Sequence, residues 1–145
     1  MTLDETIDFL MRIREIDRNI YRLTVKHNEA RSSLLLSGAQ YDKPAVQISH
    51  ENKMESVFAS VDVLNETIYR LRCRKAELII EICSALELLP DERESTILTA
   101  YYIAGMKINR IAERIEYTAS HTHRLRSDGV KHLSEILTAS NGKRA

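Results

Sequence analysis

The chain has 145 residues, 43% of them hydrophobic, with only four Gly and two Pro, and its 21 Lys and Arg are balanced by 21 Asp and Glu. This is enough apolar material for one core or two small ones and too little turn chemistry for a strand-rich fold, and it leaves no net charge to draw the whole molecule onto an anionic polymer. No stretch approaches the roughly 20 apolar residues of a membrane helix, and Met1 to Leu10 carries acids where an export signal carries bases, so a cytoplasmic protein without a membrane partner is expected.

Thr2 to about Ser37 reads as one long helix. Phe9, Ile13, Ile16, Ile20, Leu23, His27, Ala30 and Leu34 recur in steps of four and three, the narrow seam of a coiled coil. Ser37-Gly38 breaks that pattern, and residues 38 to about 50, with Pro44, read as a linker of turn and extended character. A second stripe then runs through Met54, Val57, Val61, Leu64, Ile68, Leu71, Lys75, Leu78, Ile82, Ala85 and Leu89. Two seamed helices joined by a linker can fold back on each other or zip against a second copy of the chain. Ile7, Leu10, Met11, Leu35, Leu36, Phe58, Ile79 and Ile80 flank the seams, more apolar surface than a two-stranded contact requires. A homo-oligomer, with a dimer favoured, is therefore expected, its seam carried by Ile13, Ile16, Ile20, Leu23, Val61, Leu64, Ile68, Leu71, Leu78 and Ile82. His27 and Lys75 are polar seam positions that either fix register or sit at a tolerant bundle surface.

Cys73 and Cys83 lie ten apart on one expected helix, too far for a mutual disulfide, and their spacing with His121 and His123 matches no structural zinc site. No glycine-rich phosphate loop, nucleophile elbow or carboxylate pair is present, so neither metal, cofactor nor enzyme chemistry is expected.

The punctuation tightens after Leu89. Pro90 suits a helix start, and Asp91, Glu92 and Glu94 suit its positive end. Ile97, Leu98, Tyr101 and Tyr102 then recur at helical spacing until Gly105, a left-handed stop. Ile108, Ile111, Ala112 and Ile115 form one face of a second short helix and Lys107, Asn109, Arg110, Glu113 and Arg114 the other. Glu116-Tyr117-Thr118 is a turn with Thr118 placed as N-cap, and a last helix from about Ala119 to Leu137 buries Thr122, Leu125, Val130, Leu133 and Ile136 or Leu137. The expected fold is thus all-α: a helical region over 1–89, a three-helix helix-turn-helix over 90–138, and a flexible basic tail over 139–145.

Leu89-Pro90-x-x-Arg93, the Tyr101-Tyr102-Ile103-x-Gly105 run, Ile111-Ala112-Glu113, and Arg124-Leu125-Arg126 followed by Val130-Lys131-x-Leu133 resemble the promoter-reading C-terminal region of bacterial sigma factors. The likeness covers about a third of the chain, and nothing before it resembles the sigma segment that melts promoter DNA. Helical N-terminal half and reading head together are similar to small phage-encoded transcriptional regulators of the ArpU and RinA type, and the Tyr41-Asp42-Lys43 stretch adds to that likeness. Two departures stand out. Glu116 occupies a turn position often held by Gly, and Thr122 takes an inward position usually held by Val or Ile; Gly129, inside a helix, costs about 1 kcal/mol relative to Ala unless a close approach requires it.

The resemblance implies a regulator of double-stranded DNA that enters the major groove with the start of the last helix. Ser120, His121, His123 and Arg124 would meet bases, with Ala119 able only to touch a thymine methyl; Lys107, Arg110, Arg114, Arg126 and Lys131 would meet phosphates. From Ala119 to Ala145 there are five Lys or Arg against two acids, so the basic charge is local. Two other readings stay open: a packaging adaptor resembling a phage terminase small subunit, and a protein-only module that docks on RNA polymerase.

Overall fold

The computed structural model describes the backbone of residues 1–37 and 47–143 and the side chains of 1–36 and 53–143. All regular structure among them is helical: α1 (Leu3–Ser37), α2 (Gln47–Leu86), α3 (Glu92–Leu98) running into a π-helical turn (Thr99–Ile103), α4 (Ile108–Ile115) and α5 (Ala119–Gly142). No described helix is long and apolar enough to cross a membrane. The element order follows the sequence, with three shifts of boundary. α2 begins at Gln47, inside the span expected as linker, while 38–46, with Tyr41, Asp42, Lys43 and Pro44, lie outside the described residues. α5 continues to Gly142, so 139–142 are helix rather than tail, and 144–145 lie outside the described residues. α3 starts one residue later than its acids suggest, because Asp91 stands as N-cap and takes the Arg93 backbone N–H at 2.9 Å, leaving Pro90 just before the helix.

The chain divides into two compact units, Met1–Glu15 with Lys75–Ala145 and Ile16–Arg74. This differs from the division expected at residue 89: the first turns of α1 and the last turns of α2 belong with the three short helices. Composition explains it. Leu10, off the coiled-coil seam, is fully buried, as are Ile13, Ile82 and Leu86, so the surplus apolar residues at this end of α1 and α2 serve the same unit as the C-terminal helices.

In that unit α3 and α4 both pack on α5. Ile97, Ile108, Ile111 and Leu125 form a core cluster, with Ala100, Tyr101, Met106, Ile115 and Tyr117 packed against it. Arg14 of α1 ties on to the π-helical turn, donating from Nη2 to the Tyr101 carbonyl at 3.0 Å while its guanidinium lies 4.1 Å from the centre of the Tyr101 ring. The Ser134 and Thr138 hydroxyls of α5 donate to the Met1 carbonyl at 3.2 and 2.7 Å.

In the second unit α1 and α2 run antiparallel as a hairpin: His27, Arg31, Leu34 and Leu35 line one groove together with Met54, Phe58, Val61, Asp62 and Asn65. Among its described residues, Ile16, Leu34, Val61 and Ile68 are the buried apolar ones. Of the seam positions named from sequence, Ile13, Ile16, Val61, Ile68, Leu78 and Ile82 are buried and Ile20, Leu23, Leu64 and Leu71 half-buried, all within a single chain.

Candidate nucleic-acid interface

The turn between α4 and α5 is built by backbone rules. α4 ends with the Glu116 N–H and then the Tyr117 N–H donating to the Ala112 carbonyl, the latter at 3.0 Å, and Glu116 itself adopts φ 60°, ψ 38°. The left-handed geometry is thus kept without glycine, at a cost of order 1 kcal/mol for an L-residue. Gly105 takes the equivalent conformation at the end of the previous helix, φ 70°. Tyr117 turns inward on to the core cluster, fixing the direction in which the chain enters α5.

Thr118 then caps α5: its hydroxyl oxygen accepts from the His121 N–H at 3.1 Å. Thr122, the unusual inward residue, is fully buried, and its hydroxyl donates to the Thr118 carbonyl at 2.9 Å. A buried Thr is therefore acceptable at this position because the helix itself satisfies the hydroxyl. Gly129 has an equally local reason. A Cβ there would stand 3.1 Å from Leu98 Cδ1 and 3.2 Å from Glu94 Cβ, so α5 passes α3 at a distance only glycine permits without displacement.

The face of α5 that is left outward carries Ser120, Arg124, Ser127 and Lys131 at steps of four, three and four, one stripe along the helix. All four are exposed, as are His123 and Ala119. On α4 and just before it, Lys107, Arg110 and Arg114 are exposed beside Asn109 and Glu113. Two residues expected to contact nucleic acid are half-buried and have contacts within the chain. Arg126 is half-buried, its guanidinium 4.6 Å from the Tyr101 ring centre, sharing with Arg14 a ring that stabilises cations. It is a packing residue, because its position in the helix turn points it toward the buried side instead of the stripe. His121 is half-buried, its ring edge-on to Tyr117 with centroids 5.0 Å apart, so its ring braces the turn.

A polar contact that the sequence did not suggest ties α5 to α3. His132 Nδ1 stands 2.9 Å from both carboxylate oxygens of the buried Glu94, joining α5 to α3. The Glu94 hydrogen bond and charge hold the His132 pKa above the usual imidazole value. Asp91 is paired with Arg93 at 3.0 Å; the hydrogen bonds from Arg93 lower the Asp91 carboxyl, and the same pair raises Arg93 further into its charged range. Burial raises the Tyr102 hydroxyl, which stays neutral. An acid at position 94 and a His at 132 lie too far apart in sequence for periodicity to pair them.

Among the described residues no group of three His, Cys, Asp or Glu side chains is placed to hold a metal ion, and Cys73 and Cys83 are free thiols. Compared with known proteins, the chain matches no family model, no curated protein and no solved structure.

Proposed function

We propose that this protein is a sequence-specific double-stranded DNA-binding transcription regulator, of phage or prophage type, that lays the start of α5 in the major groove as the second helix of a helix-turn-helix and acts as a homo-oligomer. The observation that carries the reading is the exposed stripe Ser120, Arg124, Ser127 and Lys131, which follows directly on a capped, three-residue turn and lies in the same unit as the exposed bases of α4. Such a stripe offers side chains that hydrogen-bond base edges near its start and a phosphate ligand farther along. Arg124 is the best base contact, since a guanidinium meets guanine in a bidentate pair; Ser120 and His123 flank it, and Lys107, Arg110, Arg114 and Lys131 meet phosphates. His121 and Arg126 leave the contact set because their rings and guanidinium are engaged within the chain.

One head supplies few phosphate contacts, and formal net charge is zero, so binding by a single copy is weak and strongly salt-dependent. Two linked heads on a repeated half-site raise affinity without new contacts. The test is selection of bound sequences from random duplex DNA, followed by titration of the enriched site. Arg124→Ala is expected to cost about 1–3 kcal/mol and relax preference at one base pair, while Lys131→Ala weakens all sequences alike and lowers the salt slope by about one. Failure to enrich any duplex, with RNA polymerase retained instead, would overturn the reading in favour of a protein-docking module; a ring-shaped assembly would favour a packaging adaptor.

A further inference from the structure

The hairpin of Ile16–Arg74 has two unlike flanks. Beside the seam, α2 carries Phe58, Asp62, Asn65 and Tyr69 at steps of four, three and four, and α1 carries Tyr21, Asn28 and Leu35 at steps of seven. Both stripes border the same groove of about 540 Å³, since Arg31 and Leu35 line it with Phe58, Asp62 and Asn65. Tyr21, Leu35 and Tyr69 are 72%, 72% and 68% exposed and Phe58 52%, although each is a large apolar or aromatic side chain. The opposite flank is mostly polar, with Asn19, Lys26 and Ser33 on α1 and Lys53, Ser60 and Thr67 on α2, and the exposed apolar residues there, Leu36 and Val63, are aliphatic. The exposed aromatic residues Tyr21, Phe58 and Tyr69 all stand on the one flank, and such a gathering is the pattern of a covered surface.

Charge says what covers it. On this face α1 carries the base Arg31, and α2 carries the acids Glu55 and Asp62. Arg31 and Asp62 line one groove, yet neither is in an ion pair among the described residues. A partner for this face therefore sets an acid against Arg31 and a base against Asp62, at the same level and with apolar residues alongside. A second copy of the face meets that description. Turned about a two-fold axis parallel to the helices, it sets Arg31 opposite Asp62 twice over, and Leu35 opposite Phe58. Turned about an axis across the helices it would set α1 on α1, base on base, which is disfavoured.

We propose that this groove and its flanks form the interface between two copies of the chain, closing a four-helix bundle in which α1 of each copy lies on α2 of the other. The inference deepens the assembly part of the function proposed above, and its test is made without DNA, so that failure of this interface and failure of DNA binding are read separately. Sedimentation of the full chain over a dilution series is expected to give a dimer at micromolar concentration. Phe58→Glu is expected to yield a monomer with unchanged helix content by circular dichroism, because the side chain is half-exposed within its own chain. Arg31→Glu and Asp62→Arg are each expected to weaken the dimer by about tenfold or more, since each sets like charges against one another. Mixing these two variants is expected to restore a dimer containing one chain of each, a rescue that no effect within one chain can produce. A wild-type chain that is monomeric throughout, a dimer that survives Phe58→Glu, or charge variants that are neutral or that fail to rescue each other would overturn the proposal.

Discussion

The two units close their cores to different degrees. In the unit that holds the short helices, Leu10, Ile82, Ile97, Leu98 and Leu133 are wholly inaccessible, whereas the best-buried apolar residue among the described residues of the hairpin unit, Ile68, keeps 6% of its surface. The cause is the number of walls. A side chain on a two-helix seam is covered by its own helix and one neighbour, while Leu98 lies between α3, the π-helical turn that follows it and α5. Complete burial therefore takes a third element, and the hairpin has none of its own among the described residues.

That difference is open to direct attack. Leu133→Ala is expected to lower unfolding free energy by about 3 kcal/mol, because a rigid, fully walled site cannot collapse on to the missing methyl groups, whereas Val61→Ala on the hairpin seam should cost about 1 kcal/mol. Urea unfolding of the two variants side by side checks this, and equal losses would mean that the hairpin is as closed as the head. Gly129→Val, which probes the α3–α5 crossing, should cost about 1–3 kcal/mol, as the branched side chain meets Leu98 and the Glu94 stem in a packed wall. No loss in urea unfolding would show that α5 can ride away from α3.

The smallest effect belongs to the polar tie across the same crossing. Glu94 raises the His132 pKa in the folded chain above the usual 6.5, so the folded form holds the proton more tightly than the unfolded one. The stability this gives is fully present below about pH 6.5 and is lost as pH rises through the raised value. The urea midpoint of the wild type should accordingly fall between about pH 6 and 8 relative to that of His132→Gln, whose curve should be flatter over that window; parallel curves would mean the imidazole contributes no proton-linked stability.

Much of the molecule was legible before its shape was known. Pro90, Gly105 and Thr118 mark helix boundaries because each acts through its own backbone or its immediate neighbours, and the split of α4 into an apolar face and a charged face needs only a period of 3.6. The seam of α1 and α2 is likewise a matter of spacing. The division of the chain at residues 15 and 75 was not legible, since Leu10 looks like surplus on a long helix, although the structure buries it fully in the unit of the short helices.

What the sequence determined by itself is therefore the set of helices, their apolar faces and most of the outward stripe on α5, because these follow from local propensity and periodicity. Tertiary structure alone decided that Arg126 rests on Tyr101 and His121 against Tyr117, that Gly129 marks a close crossing, and that Glu94 meets His132. Each of these joins residues through space, and a helical repeat says which way a side chain points without saying what stands in front of it.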